Sequence, residues 1–327
     1  MQAITRNLCK TLLALSTTVF MAGVAGAQAP AYPTKPVRMI IALAPGGGVD
    51  TTGRYLAQKM SEAWGQNVVT DNRPGAGGSI ASEMVAKSPP DGYTMLMNSS
   101  GITITPSIMK LGYDPRKELL PVSLAVVSPG VLVVHPSLPV KNVQELIAYA
   151  KANPGKLNMA SPGATTLTRL SGELFKQVAG IDWVTVHYKG GAPAMQDMLG
   201  GTAQIMFANI SDVISQVKAG KLNAIAVTTP KRSAVVPDVP TLAESGFPDF
   251  SFATWQAIVG PAGLPREVVQ RLNGEIVKAM ATKEMKDRFL SFGTDAETST
   301  PEELGRFLAA EVAKIRKIAQ SVGATTN

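Results

Sequence analysis

The stretch Val37-Arg38-Met39-Ile40-Ile41-Ala42-Leu43-Ala44-Pro45-Gly46-Gly47-Gly48-Val49-Asp50 limits the folds open to this chain more than any other. Val37 to Leu43 is an apolar run of strand length, set off by Pro36 and Pro45. After Asp50 the period changes. Gly53, Leu56, Met60 and Ala63 or Trp64 recur at helical spacing, and Gly65 supplies a stop. The stretch reads as a buried strand, a glycine loop and a helix start. Three glycines let a ligand approach the backbone with no Cβ in the way. The helix behind them directs unpaired N–H groups and a positive dipole end at the same spot. That arrangement predicts an anion site.

The same grammar recurs along the chain. Asn67 to Thr70 reads as a second strand, Asp71 to Gly78 as another glycine-rich turn, and Tyr93 to Met97 as a third strand leading into Asn98-Ser99-Ser100-Gly101. A second region comes next. Its strands are read at Gly130–Val134, Leu157–Ala160, Trp183–Val186, Ala203–Phe207 and Ala224–Val227, with helices over Val143–Ala152 and after Ser161-Pro162-Gly163-Ala164-Thr165-Thr166. Alternating strands and helices predict an α/β fold with a mostly parallel sheet flanked by helices. In such sheets ligands lie outside the carboxyl ends of the strands. Trp255 to Val259 is a further strand, and amphipathic helices are read at about 266–282 and 302–321. Thr300-Pro301-Glu302-Glu303 announces the last one, with Thr300 as cap, Pro301 in the first turn and Glu303 closing a capping box. The expected organisation is two α/β lobes with facing loops, lobe one from 28–130 and 253–327 and lobe two from 131–252.

Residues 1–27 stand apart. Arg6 and Lys10 give a positive start, an apolar stretch runs from Leu12 to Val24, and Ala25-Gly26-Ala27 has a small-x-small cleavage pattern. This predicts a cleaved secretory signal peptide, hence export. Its removal takes the net charge from +7 to +5 and removes Cys9, the only cysteine, so no disulfide or thiol chemistry is expected. With 45% hydrophobic and 17% charged residues the chain suits a globular protein. Without a long basic run and with few aromatics, nucleic acid is not an expected partner.

Catalytic and cofactor motifs fail on inspection. Gly48-Val49-Asp50-Thr51-Thr52-Gly53-Arg54-Tyr55 has the glycine spacing of a phosphate loop, but Arg54 and Tyr55 stand where lysine and Ser/Thr are needed. Thr51 breaks a Gly-x-Gly-x-x-Gly fingerprint. His135 and His187 are the only histidines, and neither a metal-ligand spacing nor a Gly-x-Ser-x-Gly elbow occurs. No cofactor, no metal and no catalytic residue are therefore assigned. Asp50 has two compatible readings, as the N-cap that accepts from Thr52 or Gly53 and as a ligand contact. Thr165 and Thr166 read as helix caps at a second loop. Arg169 reads as a solvated arginine, or as a carboxylate partner if it turns inward. Ser99, Tyr188, Asn209 and Asp212 lie just beyond strand ends and join the candidate contacts.

Pro45-Gly46-Gly47-Gly48-Val49-Asp50, Asp71-Asn72-Arg73-Pro74-Gly75-Ala76-Gly77-Gly78 and Pro90-Asp91-Gly92-Tyr93-Thr94 resemble the extracytoplasmic receptors of tripartite tricarboxylate transporters, the Bug-type family. The likeness continues through Tyr188-Lys189-Gly190-Gly191-Ala192-Pro193-Ala194, Pro237-Asp238-Val239-Pro240-Thr241, Gly260-Pro261-Ala262-Gly263-Leu264-Pro265 and Thr300-Pro301-Glu302-Glu303, and covers the whole mature chain in order. It implies a two-lobe periplasmic binding protein, a type II-like Venus flytrap that closes on a small organic acid. It further implies ligand contacts from two loops, one in each lobe. These match Ala44 to Asp50, with Leu43 beside it, and Ser161 to Thr168, including Ser161, Gly163, Thr165 and Thr166. Leu43 stands where the family often has phenylalanine, and Arg169 where it often has histidine. The implied partners are a small carboxylate and the membrane subunits of a transporter, or a sensor kinase, with the receptor itself a monomer. A sensor domain and an enzyme acting on an organic acid are the alternative functions.

Overall fold

A computed structural model describes residues 32–163, 166–188 and 190–321. The chain divides into Met1–Thr34 and Lys35–Asn327, and the strands and helices of the described residues belong to the second unit. The expected signal peptide, 1–27, lies outside the described residues.

The opening strand–loop–helix unit forms as the sequence predicts. Strand β1 (Val37–Ile41) is followed by helix α1 (Gly48–Trp64). Val49, Leu56, Ala57 and Met60 of α1 are buried, and Gly65 ends it in the left-handed region at φ 64°. Gly53 lets the helix lie close on the strand, because a Cβ there would stand 3.0 Å from the Ile41 side chain. Strand β2 (Val68–Asn72), helix α2 (Ser79–Ala86), strand β3 (Thr94–Ser99), helix α3 (Gly101–Ile108) and the short helix α4 (Pro115–Glu118) complete this part. Then comes the 16-residue strand β4 (Leu119–Val134).

The next part contains α5 (Val143–Ala152), β5 (Asn158–Ser161), α6 (Leu167–Ala179), β6 (Val184–His187), α7 (Gly191–Leu199), β7 (Ile205–Asn209), α8 (Ile210–Lys218) and β8 (Asn223–Val227). The chain returns through β9 (Ala253–Pro261), α9 (Arg266–Ala281), α10 (Lys283–Ser291), the two-residue β10 (Asp295–Ala296) and α11 (Pro301–Ser321). The capping box predicted for α11 is present: the Thr300 N–H donates to Glu303 Oε2 at 2.9 Å, and the Glu303 N–H donates to Thr300 Oγ1 at 3.2 Å.

The strands lie in the order β2-β1-β3-β9-β4-β7-β5-β6, with β8 and β10 also on β4. The predicted parallel pairings occur in β2-β1-β3 and in β7-β5-β6. Every pairing made by β4 and β9 is antiparallel, so the whole is a mixed sheet. Strand β4 pairs with β9 from Leu119 to Pro129, with β7 from Gly130 to Val134 and with β8 from Val131 to Val134. It therefore belongs to both halves of the sheet, and the run read from sequence as Gly130–Val134 is only its second part.

Besides a buried cluster around Val131, Met206 and Val213, two apolar clusters flank this crossing. One gathers Ile40, Leu96, Leu124, Trp255 and Leu304. The other centres on Phe175, which stacks on Trp183 at 6.1 Å and packs with Phe207 and Phe250. Helix α11 begins against the first core at Leu304 and ends in the second at Ile315 and Ile318. Burying such side chains stabilises the fold by roughly 25 cal/mol per Å² of apolar surface removed from water.

Candidate functional site

Between the two halves lies a cleft of about 620 Å³. Five helices begin at its wall: α1 at Gly48, α3 at Gly101, α6 at Leu167, α7 at Gly191 and α8 beside Asn209. Each helix start carries roughly half a positive charge and N–H groups without intrahelical acceptors. Among the described lining residues no lysine or arginine occurs. The positive ends at this cleft thus come from backbone, while Asp212 is the charged side chain among its described lining residues.

The first wall is the glycine loop. Gly46 takes φ +83°, a left-handed conformation that glycine adopts without a Cβ penalty. Its N–H donates to Asp50 Oδ2 at 2.9 Å. Asn72 Nδ2 donates to Asp50 Oδ1 and to the Leu43 carbonyl, both at 2.9 Å, and Arg54 Nε donates to Asp50 Oδ2 at 3.0 Å. Burial acts to raise the Asp50 pKa, but the bonds from Arg54, Gly46 and Asn72 outweigh it and hold the carboxyl below its ordinary value.

One reading of Asp50 is corrected here. It is not the N-cap: Gly47 occupies that position, and Asp50 reaches back to Gly46 instead of accepting from Thr52 or Gly53. Asp50 is 4% exposed with both oxygens engaged and stands outside the cleft lining. Gly47 and Gly48 do line the cleft, and among the described residues their N–H groups have no hydrogen-bond partner. Leu43 also lines it, whereas Ala44 and Gly46 do not.

The second loop is built on Thr166. Its hydroxyl donates to the Gly163 carbonyl at 2.9 Å and accepts the Arg169 N–H at 3.3 Å, so Thr166 caps α6 as predicted. Ser161 Oγ closes the same turn on the Gly163 carbonyl at 3.1 Å. Thr166, with Pro162 and Thr168, faces the cleft, while Ser161, Gly163 and Arg169 are outside its lining. Thr165 lies outside the described residues. Tyr188 is outside the cleft lining; its hydroxyl donates to Asp197 Oδ2 at 2.6 Å, and burial together with Asp197 pushes its pKa up to about 12.

Ser99, Asn209 and Asp212 all line the cleft. Asn209 is held on both sides: Thr254 Oγ1 donates to its Oδ1 at 2.9 Å, and its Nδ2 donates to Asp212 Oδ2 at 3.0 Å. Water reaches Asp212 through the cleft, yet protein closes around it and desolvation raises its pKa, which the bonds from Asn209 and Ser211 only partly offset.

Sequence reasoning misses the cleft residues of the crossing strands, Ser128 on β4 and Thr254 and Gln256 on β9. Ser128 Oγ and Gln256 Oε1 are buried and have no partner among the described residues, so a ligand or a water is needed to satisfy them. The available signal is a polar residue interrupting an otherwise apolar strand. A second cavity, of about 500 Å³, lies between α3, α4 and α11 and contains none of the predicted site residues. Among the described residues no group of three His, Cys, Asp or Glu is placed to hold a metal, and no helix is long and apolar enough to cross a membrane.

With this geometry in place the relatives are informative. Protein BugT of Bordetella pertussis is 34% identical over 325 residues, covering 97% of this chain and 99% of that protein. Among solved structures, R. palustris Rpa4515 with adipate superposes with a TM-score of 0.82 at 34% identity, covering 89% of this chain and 98% of its own. MatC from Rhodopseudomonas palustris with bound malate superposes with a TM-score of 0.76 at 27% identity, covering 88% and 99%. The fold is that of the periplasmic binding proteins. Residues 52–324 match the model of the tripartite tricarboxylate transporter family receptors, and the chain belongs to that family.

Proposed function

We propose that this protein is a periplasmic receptor that captures a small carboxylate in the cleft between its two halves and delivers it to the membrane subunits of a tripartite tricarboxylate transporter. The observation that carries the reading is the convergence of five helix N-termini on one cleft whose described lining holds no lysine or arginine. Such a site attracts an anion with fixed dipoles and N–H donors. Receptor function requires only binding and release. The carboxylates of two similar structures, adipate with Rpa4515 and malate with MatC, support the ligand class. Capture would proceed by hinge closure at the crossing strands, β4 near Pro129 and Gly130 and β9 near Ala253, with 28–130 plus 253–327 moving against 131–252. The ligand bridges both walls only in the closed state, so it draws the population toward closure.

The test is a thermal-shift screen of mono-, di- and tricarboxylates against neutral sugars. It is paired with mass spectrometry of small molecules released when the purified protein is denatured. Stabilisation by one or more acids, and recovery of an acid from the protein, are expected. Stabilisation by sugars alone would refute the anion site, and chemical conversion of a bound acid would refute a purely binding role.

A further inference from the structure

We infer that Asp212 makes this cleft selective for acids that also carry an ammonium group, in preference to the same acids without one. The inference rests on the carboxylate-receptor reading above and narrows its ligand class.

Asp212 is the one charged side chain among the described residues that line the cleft. Its orientation is set by a relay from the opposite side of the sheet crossing. Thr254 on β9 donates to Asn209 Oδ1, which turns the amide so that Nδ2 donates to Asp212 Oδ2. Oδ1 is left with only the Ser211 hydroxyl at 3.5 Å, the outer limit of a hydrogen bond. A fixed carboxylate therefore presents one under-used acceptor oxygen to the ligand space.

The electrostatics select what meets it. Water reaches the Asp212 side chain through the cleft, and the protein around it already raises its pKa by desolvation. A plain dicarboxylate brings further negative charge into the same space and makes the ionised Asp212 still less favourable. A hydroxyl can donate to Oδ1 but leaves the charge uncompensated. An ammonium group donates and also supplies the opposite charge, so it offsets the desolvation that the other two leave in place. The ligand's carboxylate then lies at the helix starts, where Gly47 and Gly48 offer N–H groups, and its ammonium at Asp212.

Matched ligand sets test this directly. Calorimetry compares succinate, malate and aspartate, then glutarate, 2-hydroxyglutarate and glutamate, then adipate and 2-aminoadipate, on the wild-type protein and on Asp212→Asn and Asp212→Ser. In any set that binds, the amino member is expected to bind at least tenfold more tightly than the unsubstituted acid. That gap should fall below threefold in both variants, with folding checked by circular dichroism. An unsubstituted or hydroxy acid that binds wild-type protein as tightly as its amino counterpart overturns the inference while leaving the receptor reading intact. So does a gap that survives in both variants. If no acid in these sets or in the wider screen binds, the receptor reading fails and the inference falls with it.

Discussion

Asp50 Oδ2 accepts the N–H of Gly46, four residues earlier, at 2.9 Å. The bond ties the glycine loop to the first turn of its own helix. It takes one of the three glycine N–H groups out of the ligand's reach and leaves those of Gly47 and Gly48 at the cleft. Asn72 and Arg54 anchor the same carboxylate to β2, so the strand, loop and helix share one buried charge.

Asp50→Asn should destabilise the protein by about 1.5–3 kcal/mol, the usual cost of losing hydrogen bonds to a buried charged group. The pH dependence has a defined sign. Because the folded-state pKa of Asp50 is lowered, its contribution is complete above the unfolded value of about 3.9 and is lost as pH falls through the folded value. Thermal melts between pH 6 and pH 3 should show a shallower acid decline for Asp50→Asn than for wild type. Parallel declines would mean that Asp50 does not carry the loop.

Gly130→Ala should cost about 1–3 kcal/mol in urea unfolding through overpacking. Its backbone is in an ordinary conformation, so the constraint is space. A Cβ there would stand 2.3 Å from Thr228 Oγ1, and Thr228 itself links β4 to Phe252, since its N–H donates to the Gly130 carbonyl and its carbonyl accepts the Phe252 N–H. The three segments meet where the sheet crosses from one half to the other. Wild-type stability in Gly130→Ala would show that this crossing yields easily.

The alternation of strands and helices is legible in the sequence because each short apolar run is closed by glycine or proline, as at Val37–Ile41 and Asn158–Ser161. The caps at Thr166 and Thr300 are legible too, since each depends on residues three apart in the chain. The first part of β4 is hidden, because Pro121, Ser123, Ser128 and Pro129 interrupt its apolar pattern and two register shifts accommodate it against β9. Helix α10 is hidden by running on directly from α9. The role of Asp50 escapes local reading for a different reason: Asn72 is 22 residues away and Gly46 lies on the unexpected side. Ser128, Thr254 and Gln256 enter the site only when β4 and β9 are seen side by side.

Gln256→Leu should weaken acid binding about tenfold or more while leaving the melting temperature of the ligand-free protein unchanged or raised. The side chain lines the cleft and its Oε1 is buried without a partner among the described residues, so replacing it with an apolar group removes an unsatisfied acceptor from the empty protein. Its amide is also a candidate ligand donor. Calorimetry and differential scanning measurements on the same variant separate the two effects. Unchanged affinity would place Gln256 outside the binding contacts.

Gly48→Val is the most direct test of how the anion is held. A Cβ at Gly48 meets nothing closer than Gln256 Nε2 at 3.5 Å, an ordinary contact, so the fold accepts a side chain there. The branches beyond that Cβ extend toward Gln256 on the cleft wall and displace ligand or water from the N–H groups of the first helical turn. Losing one hydrogen bond to a charged group costs about 1.5–3 kcal/mol, and about 1.4 kcal/mol is one decade in affinity. A fall of tenfold or more is therefore expected. Arg169→Ala is the comparison. Arg169 is half-buried and outside the cleft lining, so its removal should change affinity less than threefold. Calorimetry on both variants, with folding checked by circular dichroism, decides between backbone and guanidinium. Normal binding by Gly48→Val together with abolished binding by Arg169→Ala would put the anion on the arginine and remove the glycine loop from the site.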